Sequence, residues 1–313
     1  MPQTAMKNKI YDLIIVGTGP AGLTAGIYAK NFGLESIILG EKFGGLINTA
    51  YKIENYPGIF GVPGKELVER FKNHQKYLKL LVKKERIKGI TVNKIKKEKI
   101  FFVYTSRNIY RGRSIILAIG TEPRVLKIKN IEKFENKGVY YYIDKNTFIF
   151  KNKIIAVIGG ANSAAMTACM LSEKAKKVYI VYRRERLRAD ANWANKIKKS
   201  KNIEVVYKAN VIELRGEKKI NEAILDNGRK IKIDNLVIEA GTVPNSFLIK
   251  QLRVKTDKNG YIIVKKDQST NIKGIFAAGD ITNGSNGFRQ IVTACAEGAI
   301  AALGVFNYLS RKK

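Results

Sequence analysis

The stretch Tyr11 to Gly22, YDLIIVGTGPAG, constrains this chain more than any other. Leu13, Ile14, Ile15 and Val16 form an uninterrupted apolar run, as expected of a parallel strand buried on both faces. Gly17-Thr18-Gly19-Pro20-Ala21-Gly22 then completes a G-x-G-x-x-G ahead of a helix expected over Leu23 to Asn31. Gly17 permits the sharp turn, Gly19 lets a pyrophosphate approach the backbone, and Gly22 lets the helix pack on the strand. The helix start turns unpaired N–H groups and a partial positive charge toward that phosphate. Placement between strand and helix makes the glycine pattern a dinucleotide fingerprint and not an ordinary glycine-rich loop. A second strand, Glu35 to Leu39, ends near Glu41, about twenty residues past Gly22, the spacing of a ribose contact.

The pattern recurs at Lys153 to Gly160, KIIAVIGG, followed by Ala161-Asn162-Ser163-Ala164 and a helix expected to Ser172. Ala161 replaces the middle glycine, and its methyl is expected to push a pyrophosphate outward and weaken binding. The next strand, Lys177 to Val181, runs into Tyr182-Arg183-Arg184-Glu185-Arg186-Leu187-Arg188. An acid at this point reads ribose hydroxyls, whereas arginines suit a 2′-phosphate through their bidentate donor fork. The second nucleotide is therefore expected to be NADPH, with NADH possible. Its binding residues would be Gly159, Gly160, Asn162, Ser163, Ala164, Arg183, Arg184 and Arg188.

Between and after the fingerprints lie shorter signals. A helix is expected over Lys65 to Leu81, carrying the single histidine, His74, on its surface. Ile90 to Val92 and Ile100 to Tyr104 read as hairpin strands, and Ser114 to Ile119 as a buried strand closed by Gly120-Thr121 and Pro123. Strands at Glu204 to Tyr207 and Leu236 to Ala240 follow, then Tyr261 to Val264 and the segment Ile275 to Asp280. A last helix spans roughly Gln290 to Leu309. This order describes an α/β protein with two Rossmann-like dinucleotide-binding domains, one inserted in the other.

The bulk properties exclude several classes. With 313 residues, the chain can form two domains of ordinary size. It shows no uninterrupted apolar run able to span a bilayer, and MPQTAMKNKI lacks the apolar core of a signal peptide, so a soluble, cytoplasmic protein is expected. Cys169 and Cys295 are too few for a disulfide framework and too separated for a metal motif; both are expected as buried helical thiols. One histidine argues against metal or triad chemistry. The net charge of +32 favours an acidic partner, whereas the absence of a nucleic-acid module argues against nucleic acid.

Taken together, VGTGPAG, GGLINTAYKIENYPG, LAIGTEPR, VIGGANSA, YRRERLRA, EAGTVPN, FAAGD and FRQIVTACAEGAIAA resemble, in order, the thioredoxin-reductase-like branch of the two-dinucleotide flavoproteins. The resemblance implies FAD at the first fingerprint, NADPH at the second and a homodimer. It implies an FAD domain over 1–118 and 242–313 and an NAD(P)H domain over 119–241. FAD would be held by Gly17, Gly19, Pro20, Ala21, Gly22, Glu41, Gly45, Asn55 and Gly120. Asp280 would meet its ribityl or phosphate region, and Arg289, Gln290 and Ile291 would line the isoalloxazine, where a helix start stabilises negative charge.

The departures carry as much weight. Thioredoxin reductases bear a C-x-x-C in the inserted domain; here Tyr142 and Lys145 stand at those positions, followed by Asn146, and no cysteine precedes Cys169. Reduction of a thioredoxin through a dithiol needs an attacking thiolate and a resolving sulfur, and neither is there. The thioredoxin-reductase-like ferredoxin–NADP reductases also lack the pair. Tyr51 falls where that group stacks a tyrosine on the flavin, and Tyr141-Tyr142-Ile143-Asp144 resembles its aromatic–aliphatic–Asp segment. Against it, the sequence ends at Arg311-Lys312-Lys313 without the usual C-terminal extension, and Leu46 replaces a common glutamine.

The expected function is electron transfer between NADPH and ferredoxin through FAD, with hydride passing to flavin N5 and no side-chain acid or base assigned. The alternatives are an NAD(P)H oxidase or small-acceptor reductase, and a flavin-binding regulatory protein of low activity.

Overall fold

The computed structural model describes residues 9–95, 98–141, 143 and 147–311. Tyr142, Asp144, Lys145 and Asn146, which stand at the missing cysteine motif, lie outside the described residues. The chain divides into two compact units, Met1–Glu122 with Val243–Lys313, and Pro123–Thr242. The crossings fall slightly past the expected ends at 118 and 241.

The first unit opens with β1 (Ile10–Val16), α1 (Pro20–Asn31), β2 (Ser36–Gly40), α2 (Gly64–Tyr77) and β3 (Val82–Lys84). The strands β4 (Ile87–Ile95), β5 (Glu98–Thr105) and β6 (Ile109–Leu117) follow, and β7 (Thr121–Pro123) leads out. The second unit begins β8 (Val139–Tyr140), β9 (Ile154–Ile158), α3 (Asn162–Ser172), β10 (Lys177–Tyr182), α4 (Ala191–Lys199) and β11 (Ile203–Tyr207). It ends with β12 (Val211–Arg215), β13 (Glu222–Leu225), β14 (Lys230–Lys232) and β15 (Asn235–Ile238). The return is β16 (Thr242–Pro244), α5 (Phe247–Leu252), β17 (Ile275–Ala277) and α6 (Ile291–Ser310).

In the first unit the sheet order is β3-β2-β1-β6-β5-β4, with β17 paired to the end of β6. Strand β1 sits between β2 and β6, parallel to both. Its alternate side chains face opposite cores. Leu13 and Ile15 pack with Leu23 and Ala25 of α1 and with Ala301 and Val305 of α6. Ile14 and Val16 pack with Phe101 and Val103 of β5 and Leu248 of α5. Burial on both faces is why the strand shows no polar alternation. The second unit repeats the plan in the order β11-β10-β9-β15-β8. Ile155 and Val157 of β9 face Ala164 and Ala168 of α3. Ala156 faces Leu214, Ala223 and Ile231 from a small antiparallel sheet of β12, β13 and β14.

That small sheet and α4 are absent from the sequence expectation. Its strands are three to five residues long and carry charged residues such as Glu213, Arg215, Lys230 and Lys232, too short and too polar for a clear period-two signal. The helix expected over Lys65 to Leu81 stops at Tyr77, because Lys79 takes a left-handed φ of 53° and ends the turn. His74 is exposed as expected. The strand expected over Tyr261 to Val264 reduces to bridges of Ile262 with Thr256 and Thr282. Cys169 and Cys295 lie on α3 and α6 but are half-buried, not fully enclosed.

Helix α6 is long and apolar enough to cross a membrane by length and composition, although Thr293 and Glu297 interrupt its apolar run. Its buried residues include Ala294, Glu297, Gly298, Ala301, Ala302, Gly304 and Val305, and several of them pack in the core shared with α1, so it serves as a core helix. The two helices touch backbone to backbone: a Cβ added to Gly298 would lie 2.2 Å from the Ala21 carbonyl oxygen. Gly298→Ala is therefore expected to destabilise the first unit by about 2 kcal/mol or more, through forced separation of α1 and α6. A lowered urea midpoint with unchanged slope would bear this out; an unchanged midpoint would show that the crossing is loose.

Candidate dinucleotide sites

The first site is assembled at the carboxyl ends of β1, β2, β6 and β17, where open α/β sheets bind ligands. Gly17 has φ +125°, and a Cβ there would sit 2.0 Å from the Ala118 oxygen, so only glycine fits. Gly22 is equally restricted, its Cβ position lying 2.0 Å from the Gly17 oxygen. Gly19 differs: nothing lies within 4 Å of its Cβ position, so that side of the turn is open. Gly19 is also the N-cap of α1, no side chain caps that helix, and Pro20 opens it. The first-turn N–H groups are thus available to an anion.

The loop after β2 is stitched onto this turn. Thr18 Oγ1 donates to the Lys42 carbonyl at 2.8 Å, and the Gly44 amide donates to the Thr18 carbonyl at 2.7 Å. Gly45 consequently lies against Gly19, its Cβ position 3.3 Å from the Gly19 Cα. Glu41, in the same loop, is exposed. Tyr51 keeps 43% of its surface exposed, which leaves its ring accessible for stacking. Asn55 Nδ2 donates to Gln290 Oε1 at 2.8 Å, which joins this loop to the start of α6. Gln290 is the N-cap of that helix, its amide donates to Thr293 Oγ1, and Ile291 is the first helical residue. Gly120, at φ +59°, follows β6 and has no neighbour within 4 Å of its Cβ position.

Asp280 emerges after β17, next to Gly279, whose Cβ position is 2.8 Å from the Ala21 side chain. Burial pushes its carboxyl up to about 6, against the pull of Arg289 and with a further push from Glu297. Arg289 is committed to the protein. Its guanidinium lies 3.6 Å from the Tyr261 ring centroid, and its Nε donates to the Asp280 carbonyl at 3.2 Å. Sequence reasoning missed Glu297. Its carboxylate is 4% exposed and accepts from the Gly279 amide at 2.9 Å, Thr282 Oγ1 at 2.8 Å and Ser285 Oγ at 2.7 Å. The signal was there: one acid in the otherwise apolar run of α6.

The second site repeats the first. Gly159 has φ +144° and packs against the Glu239 carbonyl, 2.4 Å from its Cβ position. Gly160 is covered by the Tyr182 ring, at 2.5 Å from its Cβ position. Ala161 is the N-cap of α3, which has no side-chain cap either, so the amides of Asn162, Ser163 and Ala164 form the open end. Asn162 and Asp190 bond reciprocally, through Asn162 Nδ2 to the carboxylate and the Asp190 amide to Asn162 Oδ1, each at 2.7 Å. The Arg188 amide donates to the Gly160 carbonyl and its Nε to Tyr182 Oη at 3.1 Å. Arg183, Arg184 and Arg188 are all exposed. Ser163 Oγ and Thr167 Oγ1 donate to the Glu239 carboxylate, a residue the sequence reading did not single out.

Comparison with known proteins agrees with this geometry. The family model for pyridine nucleotide-disulphide oxidoreductases matches residues 11–298. A thioredoxin reductase of Borreliella burgdorferi is 33% identical over 308 residues, covering 96% of this chain and 92% of that protein. The crystal structure of Lactococcus lactis thioredoxin reductase superposes with a TM-score of 0.89 at 30% identity, covering 96% of this chain and 99% of the other. A ferredoxin-flavin thioredoxin reductase from Clostridium acetobutylicum gives a TM-score of 0.52 at 30% identity, covering 96% and 98%.

Two predictions follow from the first site's chemistry. Gly19→Ala is expected to leave the melting temperature of flavin-free protein unchanged while lowering the flavin retained on purification, read from the visible absorbance. Asp280 ionises near 6 in the fold against 3.8 for the free side chain, so its ionisation opposes folding. The stability that goes with the protonated carboxyl is fully present below pH 3.8 and is lost as pH rises to about 6. Asp280→Asn should therefore raise flavin-free stability relative to the parent by up to roughly 3 kcal/mol above that range and by little near pH 4. Denaturation curves across pH showing a constant difference would remove Asp280 as the source.

Proposed function

The chain belongs to the pyridine nucleotide-disulphide oxidoreductase family, and we propose that it moves electrons between NADPH and an acidic one-electron carrier of the ferredoxin type. It is a thioredoxin-reductase-like FAD oxidoreductase whose cofactors are FAD and NADPH. The observation that carries the finer reading is the missing dithiol. Cys169 and Cys295 are the sole cysteines, and they lie in different units on α3 and α6. Burial pushes both thiols up, the reverse of what an attacking thiolate needs. Both nucleotide fingerprints persist without the relay that would connect them to a thioredoxin.

Bound FAD supplies the redox chemistry, taking up two electrons and releasing them singly. The chain's part is binding and orientation. On this reading Gly17 to Gly22 and Gly45 admit the FAD pyrophosphate, Glu41 meets a ribose, and Tyr51 offers a π-face to the ring system. Asn55, Arg289, Gln290 and Ile291, at or joined to the start of α6, line the same end, with Gly120 and Asp280 just past the ends of β6 and β17. Arg183, Arg184 and Arg188 receive the 2′-phosphate of NADPH. No side chain is assigned as acid or base.

The net charge of +32 supports an acidic carrier, since such a field raises the encounter rate with an anionic partner. One structurally similar protein bears ferredoxin in its name, the ferredoxin-flavin thioredoxin reductase. A homodimer fits the exposed Tyr28 of α1 and Ile300 and Leu303 of α6, apolar surface that a second copy would cover.

The test is NADPH-driven cytochrome c reduction, with and without ferredoxin, at low and high salt. The expected outcome is a ferredoxin-dependent rate that falls several-fold as salt rises. A rate indifferent to ferredoxin and salt, accompanied by oxygen consumption, would move the protein to the oxidases.

A further inference from the structure

The two units repeat one strand–turn–helix arrangement, and the repeat supplies an internal comparison. In each, the opening glycine of the fingerprint packs against the residue that follows the neighbouring strand: Gly17 beside Ala118, Gly159 beside Glu239. The backbone bonds correspond. The Ala118 amide donates to the Val16 carbonyl at 2.7 Å, and the Glu239 amide to the Ile158 carbonyl at 2.8 Å. One fold position thus carries a methyl group in the first unit and a carboxylate in the second.

The carboxylate is held along the first turns of α3. Ser163 Oγ donates to one oxygen, and Thr167 Oγ1 donates to the other at 2.9 Å. Burial is the largest influence and raises the carboxyl's pKa, while a donor on each oxygen offsets part of that rise by favouring the ionised form. Among the described residues, the influences on Glu239 are its own burial, Ser163 and Thr167, none of them a cation. Ser163 also supplies one of the open amides at the start of α3. A pyrophosphate received there would share the start of α3 with a carboxyl group that no cation offsets among the described residues. At an effective dielectric of about 20, an ionised carboxylate beside the start of α3 lowers the affinity for a phosphate received there.

We propose that Glu239 is an affinity-setting residue that weakens the hold of the second unit on a phosphorylated dinucleotide, so that the pyridine nucleotide exchanges while the flavin nucleotide stays. Ala161 acts in the same direction, placing a methyl where Gly19 leaves open space. The assignment rests on reading the start of α3 as the NADPH site, and its test separates the two.

The experiment is calorimetric titration of the flavin-loaded protein with NADP+, which binds without reducing the flavin. Glu239→Gln keeps an acceptor and the side-chain shape while removing the charge. It is expected to lower the Kd for NADP+ by about threefold to tenfold at low salt, and the gain should shrink as salt is raised. The KM for NADPH should fall with it, while flavin content and melting temperature hold. Glu239→Ala, which reproduces Ala118, should tighten binding in the same way. A role confined to supporting α3 predicts the opposite sign, weaker NADP+ binding in both variants, and that result would overturn the assignment. So would an unchanged Kd in a Glu239→Gln protein that melts like the parent. Arg183→Ala with Arg184→Ala serves as the reference. If that pair leaves NADP+ affinity unaltered, the site reading fails and Glu239 with it; if the pair weakens binding but Glu239→Gln does not tighten it, the Glu239 assignment alone fails.

Discussion

The structure depends on a backbone contact made twice: the turn that follows a central strand presses against the first residue beyond the adjacent strand. At Gly17 the space left by the missing side chain is closed by the Ala118 carbonyl, and at Gly159 by the Glu239 carbonyl. The contact fixes the height at which α1 and α3 begin, and hence where their uncapped amides point. Any side chain there would have to displace main chain, which a close-packed interior cannot absorb. The uncapped starts of α1 and α3 and the open space at Gly19 are arranged around these turns.

Around the first turn, charge is buried with care. Glu297 is enclosed in α6 but meets an amide and two hydroxyls, which together tie the segment Gly279 to Ser285 to the helix. Glu85 is treated alike, accepting from Asn108 and Tyr110, each at 2.9 Å, and from Thr105. Both carboxylates act as side-chain staples that add to the backbone bonds of their loops. Asp280 is different. It is buried with less compensation, and its raised pKa marks a group whose partners are incomplete within the protein itself.

Much of this was legible in the sequence, and the reasons differ by element. The strands β1, β2, β9 and β10 were readable because burial on both faces demands continuous apolar residues. The fingerprint glycines were readable because Gly17, Gly22, Gly159 and Gly160 each relieve a local collision, while Gly19 leaves open space. The hairpin of β4 and β5 was found but underestimated in length, since its outer residues, such as Lys88 and Lys94, are charged and exposed. The small sheet of β12 to β14 escaped notice, because short strands that close one face of a neighbouring sheet owe their existence to that face.

The sequence by itself determined the two dinucleotide turns, the arginine cluster after β10 and the lack of a cysteine pair. Each is a property of residue type at short range: φ at a glycine, charge at the end of a strand, sulfur present or missing. Only the tertiary structure decided what Glu239, Glu297 and Asp280 do. A carboxylate's meaning depends on which donors and charges reach it. For Glu239 those are hydroxyls more than seventy residues earlier in the chain, and for Asp280 and Glu297 they are groups on the far side of a turn. Local sequence sets the backbone's options; the folded neighbourhood sets the electrostatics.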